Sequence, residues 1–294
     1  MKRILVLGGG GVIGRNLCNA LVELGHEAHA VDMDFPSNDL EPEEQRPKFT
    51  EQHVVDITHP NTLRHLVFQV QPNVIIHLAE NNSIDPSQQD DVAHVNVASV
   101  MEMLRICARF SIRGIVGQWS GISSDSIIDP LSWSLHTRAT MTRLFAKGNC
   151  VVNNVYIPRL LHYDYPASHF GNIVGRVWSH FAFGDRIIVD DNEYPRPNSE
   201  ISDLKLSDPI KYCGIQDVVD AFVYQISRRT REPCHIVGIR ASIEKLIGYA
   251  LDQFNRETVT VYGRDEPHDF ARIHGDQSDP IEQLIRRGFP VNPE

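Results

Sequence analysis

The stretch Ile4-Leu5-Val6-Leu7-Gly8-Gly9-Gly10-Gly11-Val12-Ile13-Gly14 decides the fold. An unbroken apolar run ends in four glycines, the pattern of a buried parallel strand that turns at its carboxyl end. Val12, Ile13, Leu17, Ala20, Leu21 and Leu24 then recur at helical spacing, and Gly25 stands where a helix closes. The glycines satisfy a G-x-G-x-x-G spacing at Gly9, Gly11 and Gly14, and a G-x-x-G-x-x-G spacing at Gly8, Gly11 and Gly14. Such spacing permits the tight turn, lets backbone approach a pyrophosphate and lets the helix pack close to its strand. The pyrophosphate would face the free N–H groups at the helix start, placing Gly8, Gly11, Val12, Ile13 and Gly14 around it. A second strand, Ala28 to Val31, ends at Asp32, the acid expected about 20 residues on. Its carboxylate would accept hydrogen bonds from the adenosine ribose and repel a 2′-phosphate. The pattern therefore predicts a dinucleotide site for NAD rather than NADP.

Outward from this unit, strand and helix keep alternating. His53 to Val55 reads as a third strand ending at Asp56. Pro60 opens a helix, Val74 to Ile76 is a fourth strand, and a long helix runs from about Asp90 to Phe110. Ile115-Val116 is the fifth strand, and Val151 to Ile157 a later one. This rhythm predicts an α/β fold, a Rossmann-type doubly wound parallel sheet covered by helices on both faces. It breaks after Arg159. Asp190 to Asp208 reads as a long surface loop, and helical patterns return at Asp217 to Arg228 and Ile243 to Phe254. The expected organisation is a cofactor domain over 1–160 and a smaller mixed substrate domain over 161–294, with about 214–240 returning to the first. A ligand crevice is expected at the carboxyl ends of the strands, where the two meet.

Composition narrows the function classes. The 294 residues carry 28 basic and 38 acidic side chains, a net charge of −10, which argues against a nucleic-acid partner. The five cysteines are widely spaced without a Cys-x-x-Cys, so a reducing cytoplasmic setting is expected. No apolar run approaches the roughly 20 residues of a membrane span. The basic and apolar start, Met1 to Leu7, is broken at once by glycines and reads as a strand, not an export signal.

These residues resemble the extended short-chain dehydrogenase/reductase family, the NAD-dependent epimerases and dehydratases of nucleotide sugars. Leu7 to Gly14 is similar to the family's T-G-G-x-G-F-I-G. Asp56-Ile57 resembles the aspartate–aliphatic pair that meets the adenine. His77-Leu78-Ala79-Glu80 resembles the H-L-A-A segment lining the dinucleotide, and Asn96 the asparagine that steadies sheet and active site. Pro158-Arg159 through Pro166, Phe183-Gly184-Asp185, Ile215 to Val218, Pro267-His268-Asp269 with Asp276, and Leu284 to Pro290 follow the family's later segments in order. The resemblance implies NAD as cofactor, a nucleotide-sugar substrate and pairing into a homodimer through the long fourth and fifth helices.

The family's Tyr-x-x-x-Lys pair, whose tyrosine moves a proton while the lysine lowers its pKa and holds the ribose, is missing. The serine ending the fifth strand survives as Ser120. The following helix reads Pro130-Leu131-Ser132-Trp133-Ser134-Leu135-His136-Thr137-Arg138. One register sets Ser134 and Arg138 at the tyrosine and lysine positions; the other sets Trp133 and Thr137 there. The first is preferred, because Arg138 could contact the ribose or nicotinamide. Serine is a poor acid near neutral pH, and an arginine stays charged where lysine could share a proton. Tyr163, His162 and Asp125 are the candidate replacements, ahead of His136, which points about 200° away from Ser134 around the helix. Arg159 and Arg272 are candidate contacts for a substrate diphosphate. Three readings stay open: an enzyme with an atypical acid/base, an NAD- or nucleotide-sugar-binding protein without turnover, and a scaffold that has lost both.

The fourteen histidines raise a metal reading. His26 and His29 flank a helix-to-strand turn without an evident third ligand, and there is no H-E-x-x-H and no cysteine cluster. No metal is expected. Gly121-Ile122-Ser123-Ser124 does not form a G-x-S-x-G elbow, which argues against a hydrolase triad.

Overall fold

The structure is a computed structural model describing residues 1–35, 47–59, 61–83, 85–119, 130–148, 150–161, 210–228, 231–262, 267–274 and 278–288. The chain divides into two compact units, Met1–Ile157 with Val218–Ile236, and Pro158–Asp217 with Val237–Glu294.

The first unit is built on a seven-stranded sheet in the order β3-β2-β1-β4-β5-β6-β9, with every neighbouring pair parallel. Its strands are β1 (Arg3–Leu7), β2 (Glu27–Asp32), β3 (Glu51–Val54), β4 (Val74–His77), β5 (Arg113–Trp119), β6 (Val152–Ile157) and β9 (Cys234–His235). The order reverses between β1 and β4, the switch point beside which doubly wound sheets bind ligands at the carboxyl ends of their strands. Ile4 to Leu7, Val74 to Ile76 and Ile115-Val116 are buried, as continuous apolar runs in a sheet covered on both faces must be.

Helices α1 (Val12–Glu23), α2 (Thr62–Val70), α3 (Gln89–Ala93), α4 (Ser99–Phe110) and α5 (Pro130–Ala146) belong to this unit, as does α6 (Ile215–Ser227) from Val218 on. One core cluster joins Leu5, Leu7 and Val31 of the sheet to Leu63, Leu66, Val67 and Val70 of α2 and to Val100, Met103, Leu104 and Cys107 of α4. The long helix expected over Asp90 to Phe110 is interrupted: residues His94–Ala98 between α3 and α4 form a π turn. Such a turn pushes one residue out of helical phase and is frequent at functional sites. Here it carries Asn96.

The second unit holds a three-stranded sheet, β10 (Ile239–Ala241), β8 (Ile210–Gly214) and β7 (Arg159–Leu161), a hairpin of β11 (Thr258–Tyr262) and β12 (Pro267–Ala271), and helices α7 (Ile243–Gln253) and α8 (Pro280–Gly288). Mixed strand directions distinguish it from the first sheet: β7 and β8 are parallel, β8 and β10 antiparallel. The hairpin strand Thr258-Val259-Thr260-Val261-Tyr262 alternates polar and apolar residues, a strand pattern that the sequence reading of the mixed domain did not single out. The expected loop at 190–208 lies outside the described residues. Among the described residues, no helix is long and apolar enough to cross a membrane.

His77 closes β4 fully buried. Ser99 Oγ donates to the Val95 carbonyl, so it accepts from His77 Nε2–H at 2.7 Å and leaves Nδ1 unprotonated and unpartnered. Burial, aided by the Arg138 charge, pushes the His77 pKa down to about 3. Below an ordinary value of about 6.5, the unfolded chain takes up a proton that the native state refuses. Native stability from this group is therefore whole above that pH and falls with acidification. Replacing His77 by Gln should lessen the loss of unfolding free energy between pH 7 and 5.5 by about 1 kcal/mol relative to the parent, read by urea unfolding at both pH values. Equal losses in parent and variant would show that His77 titrates normally.

Candidate cofactor site

The β1–α1 turn is made almost entirely of backbone in close contact. The amides of Gly8 and Gly9 both donate to the Val31 carbonyl, at 2.8 and 3.0 Å. Gly8 takes a φ of +84°, and a Cβ there would stand 2.5 Å from the Ala79 nitrogen. A Cβ on Gly14 would lie 2.1 Å from the Gly8 oxygen. Neither position has room for a side chain, so these glycines let α1 begin against the strand ends. Gly11, the residue before α1, is extended and exposed, with only ordinary contact around its would-be Cβ. No side chain caps α1 and its first turn holds no acid. The helix thus offers its unsatisfied amides and positive dipole end outward at Val12 and Ile13, the arrangement that receives a phosphate.

Asp32 sits at the end of β2, with Oδ2 accepting from the Gly10 amide at 2.9 Å and Oδ1 from the Met33 amide at 2.8 Å. Burial raises its pKa although these bonds oppose the rise. A carboxylate has about four acceptor sites, and with the Gly10, Met33 and Asp34 amides bonded to it, Asp32 keeps about one for a ribose hydroxyl. Leu78 and Ala79 leave β4 with both amides on the Leu7 carbonyl, at 2.8 and 2.9 Å, which brings this segment against the turn. Asp56 accepts from the amide and hydroxyl of Thr58, and the hydroxyl bond lowers its pKa. The adjoining Ile57 packs on the core cluster.

Asn96 holds the neighbouring segment. Its Oδ1 accepts from the Asn81 amide at 2.8 Å, and its Nδ2 donates to the Asn81 carbonyl and to Ser134 Oγ, each at 2.9 Å. Ser134 is 0% exposed and donates its own hydroxyl proton to the Leu131 carbonyl at 2.8 Å. The side chain at the expected tyrosine position is therefore a buried brace between α5 and Asn96, with its one proton occupied.

Arg138 is similarly enclosed, at 2% exposure, but its partner was not foreseen. Its Nη2 donates to Glu80 Oε2 at 2.7 Å and to the Gly117 carbonyl at 2.9 Å, while Nε donates to Gln118 Oε1 at 3.2 Å. Glu80 Oε1 accepts from Trp119 Nε1 at 2.7 Å. This network thus joins α5 to the segment leaving β4 and to the last residues of β5. Glu80 stands where the resemblance expects the second alanine of H-L-A-A, and Arg138 where the preferred register expects the lysine. The two departures from the family pattern are each other's partners. Their signal in the sequence was an acid placed where a small apolar residue was expected.

In the second unit, Arg272 Nε meets Asp252 Oδ1 at 2.6 Å, and Nη1 meets Asn255 Oδ1 at 2.8 Å and Glu257 Oε1 at 3.2 Å. This network ties the end of β12 to the end of α7. Arg159 opens β7, in register with Tyr212. Ser120, Asp125, His162 and Tyr163 lie outside the described residues.

Strand order, glycine turn and open helix end together define a Rossmann-type dinucleotide-binding domain. Residues 4–138 match the model of the NAD dependent epimerase/dehydratase family, so the resemblance read from the sequence holds from β1 into α5, and NAD is the cofactor that family's description names. No curated protein matches the chain. Among solved structures, the UDP-glucose 4-epimerase of Thermotoga maritima, solved with UDP-glucose, superposes with a TM-score of 0.73 at 15% identity, covering 98% of this chain and 97% of that one. WbmF of Bordetella bronchiseptica, in complex with NAD+ and UDP, gives 0.71 at 14% identity, covering 98% and 91%. The NAD dependent NDP-hexosamine 5,6-dehydratase TunA, of tunicamycin biosynthesis, gives 0.67 at 18% identity, covering 98% and 97%. At these identities the likeness is one of fold.

Two outcomes test the geometry. Gly14→Ala should keep the far-ultraviolet circular dichroism of a folded chain while weakening NAD binding at least tenfold by calorimetry, because the turn must open. Removing one member of a buried ion pair costs about 3–5 kcal/mol. Glu80→Ala should lose stability on that scale in urea unfolding, and Glu80→Ala with Arg138→Met should recover more than half of it. A single variant that costs under about 1 kcal/mol would show that the pair does not hold these segments.

Proposed function

We propose that the chain binds NAD at the Gly8–Gly14 turn and acts on a nucleotide sugar as an epimerase- or dehydratase-like enzyme. Its proton-transfer group would differ from the Tyr-x-x-x-Lys pair. The observation that carries the reading is the turn itself, where α1 begins without a side-chain cap behind an exposed Gly11 and Asp32 ends β2 bonded to the Gly10 amide. Bound NAD would supply a nicotinamide that takes and returns hydride. The nucleotide-sugar assignment is supported by the UDP-glucose and UDP complexes among the structural neighbours.

In this reading Gly8, Gly11, Val12, Ile13 and Gly14 hold the pyrophosphate, Asp32 the ribose, and Asp56 and Ile57 the adenine. Leu78, Ala79 and Glu80 line the dinucleotide. Ser134 and Arg138 position Asn96 and Glu80 rather than move protons, since their donors already have protein acceptors. Proton transfer then falls to Ser120 with Tyr163 or Asp125, and substrate contact to Arg159 and His162. A second reading, binding without turnover, is favoured by the same Arg138–Glu80 pair, which fills the place of the lysine with a charge that cannot exchange its proton. Pairing of two copies through α4 and α5 belongs to the proposal, with Trp133 and Leu144 exposed on α5.

Native mass spectrometry of the freshly purified chain should show NAD at one per chain, with any nucleotide sugar released beside it. Asp32→Ala should weaken NAD and narrow the preference over NADP, by calorimetry with each; unchanged affinities would remove Asp32 from the site. Turnover separates the two readings. Parent protein that converts UDP-hexoses supports the enzyme. An inactive parent, with activity appearing in Glu80→Ala/Ser134→Tyr/Arg138→Lys, supports the binding protein; restoring the pair without removing Glu80 would leave a buried acid beside the new lysine.

A further inference from the structure

β2 and β3 lie side by side in parallel register, with His29 opposite Glu51 and Val31 opposite His53. Residues two apart on a strand share a face, so Glu51 and His53 rise from the same side of β3, beside His29. Their polar atoms converge. His29 Nδ1 is 3.3 Å from His53 Nε2 and 3.4 Å from Glu51 Oε2, and His53 Nε2 is 3.7 Å from the same oxygen. This is the one group of three histidine, cysteine or acidic residues among the described residues whose donor atoms come together in this way. Both companions of His29 come from the neighbouring strand, and His26, its neighbour in sequence, is not among them.

From this geometry we propose that His29, Glu51 and His53 form a binding site for a zinc-class divalent ion, separate from the dinucleotide site. Zinc bonds of about 2.0–2.2 Å to nitrogen and oxygen in tetrahedral arrangement set neighbouring donor atoms about 3.3–3.6 Å apart, close to all three separations here. Two imidazoles and one carboxylate suit a borderline ion rather than calcium or magnesium, which favour all-oxygen shells. The two imidazole side chains are 10% and 7% exposed, while the Glu51 side chain is half exposed. An ion would thus be held from beneath by the sheet, with its fourth position toward solvent. Ligation through Nδ1 fixes the other proton of His29 on Nε2, a buried atom that has no hydrogen-bond partner, with Glu27 Oε2 4.0 Å away as the nearest carboxylate. Metal-bound histidines characteristically turn their second N–H toward such a group. As a plain hydrogen bond, the His29–His53 approach of 3.3 Å is longer than the usual 2.9–3.0 Å or so.

The site would act as a clamp. β3 is a four-residue strand at the sheet edge, paired to β2 alone. An ion shared between the two strands would cross-link that edge just ahead of Asp56. No proton or electron moves; the ion replaces solvent ligands with three protein atoms.

The test uses the full chain freed of metal with a chelator and then exchanged into buffer. Zinc titration against a chromophoric chelator should give one strong site per chain, cobalt(II) should develop visible bands of four-coordinate intensity, and zinc should raise the thermal midpoint. Glu51→Gln keeps size at a half-exposed position, so it is expected to fold, and should weaken zinc at least about tenfold and remove the thermal shift. His53→Ala should abolish the strong site. Absence of a strong site in the parent overturns the proposal, and so does zinc bound with equal affinity by parent and Glu51→Gln, which would place it among the chain's other histidines and cysteines. None of these readouts depends on NAD binding or turnover.

Discussion

The first unit depends on one close approach: Gly14 of α1 lies against the carbonyl of Gly8 with no room for even a methyl group. This contact fixes where α1 begins and aims its unsatisfied amides outward. It also locks β1 to both neighbours. Gly8 and Gly9 reach back to Val31 of β2, while Leu78 and Ala79, leaving β4, close on Leu7. The turn therefore works as the central node of the sheet's carboxyl edge as well as a phosphate cradle. Because it is made of backbone, its shape is insensitive to most side-chain change elsewhere.

The neighbouring region follows the opposite logic. Acid–base chemistry needs side chains with displaceable protons, and a few substitutions suffice to remove them. Here Arg138 and Glu80 make a buried pair at 2.7 Å, with Trp119, Gln118 and the Gly117 carbonyl completing the acceptors and donors. Pairing so buried carries a large desolvation cost, and its contribution lies in geometry: it fixes α5 relative to the segment leaving β4 and the end of β5. In the family pattern a lysine at this place reaches the ribose. The arginine turns to protein acceptors instead, and Ser134 turns to Asn96 and Leu131. Together these side chains form a brace held by hydrogen bonds to protein acceptors.

The parallel sheet was legible because its rules are local. Apolar runs ended in glycine at β1 and in aspartate at β2, and helical spacing filled the gaps between strands. The glycine turn was equally legible, since each glycine answers a steric demand that no other residue meets. The pairing of Glu80 with Arg138 was not, because the two are far apart in sequence and meet only when β4, β5 and α5 assemble. Ser134 was read as a reactive position from its register, whereas its fate depended on Asn96, displaced by a π turn that the periodicity of Asp90 to Phe110 concealed. His29 was weighed against His26, its neighbour in sequence, when its companions sit across the register from β2 to β3. Each of these arrangements involves contacts between elements, which a one-dimensional pattern does not encode.

The Glu80–Arg138 pair also bears on how a departure from a family pattern is read. Taken alone, an acid in an alanine position suggests a changed cofactor contact, and an arginine in a lysine position suggests a conservative swap. Taken together they are one change. A buried guanidinium needs a carboxylate within reach, and a buried carboxylate against the sheet ends needs a fixed cation. Neither residue is tolerable there without the other, so the pair must be gained or lost as a unit. The same reasoning bears on any new proton-transfer group: one Glu80 oxygen is held by Arg138 and the other by Trp119. In the proposed reading, the group that moves a proton therefore lies outside this brace.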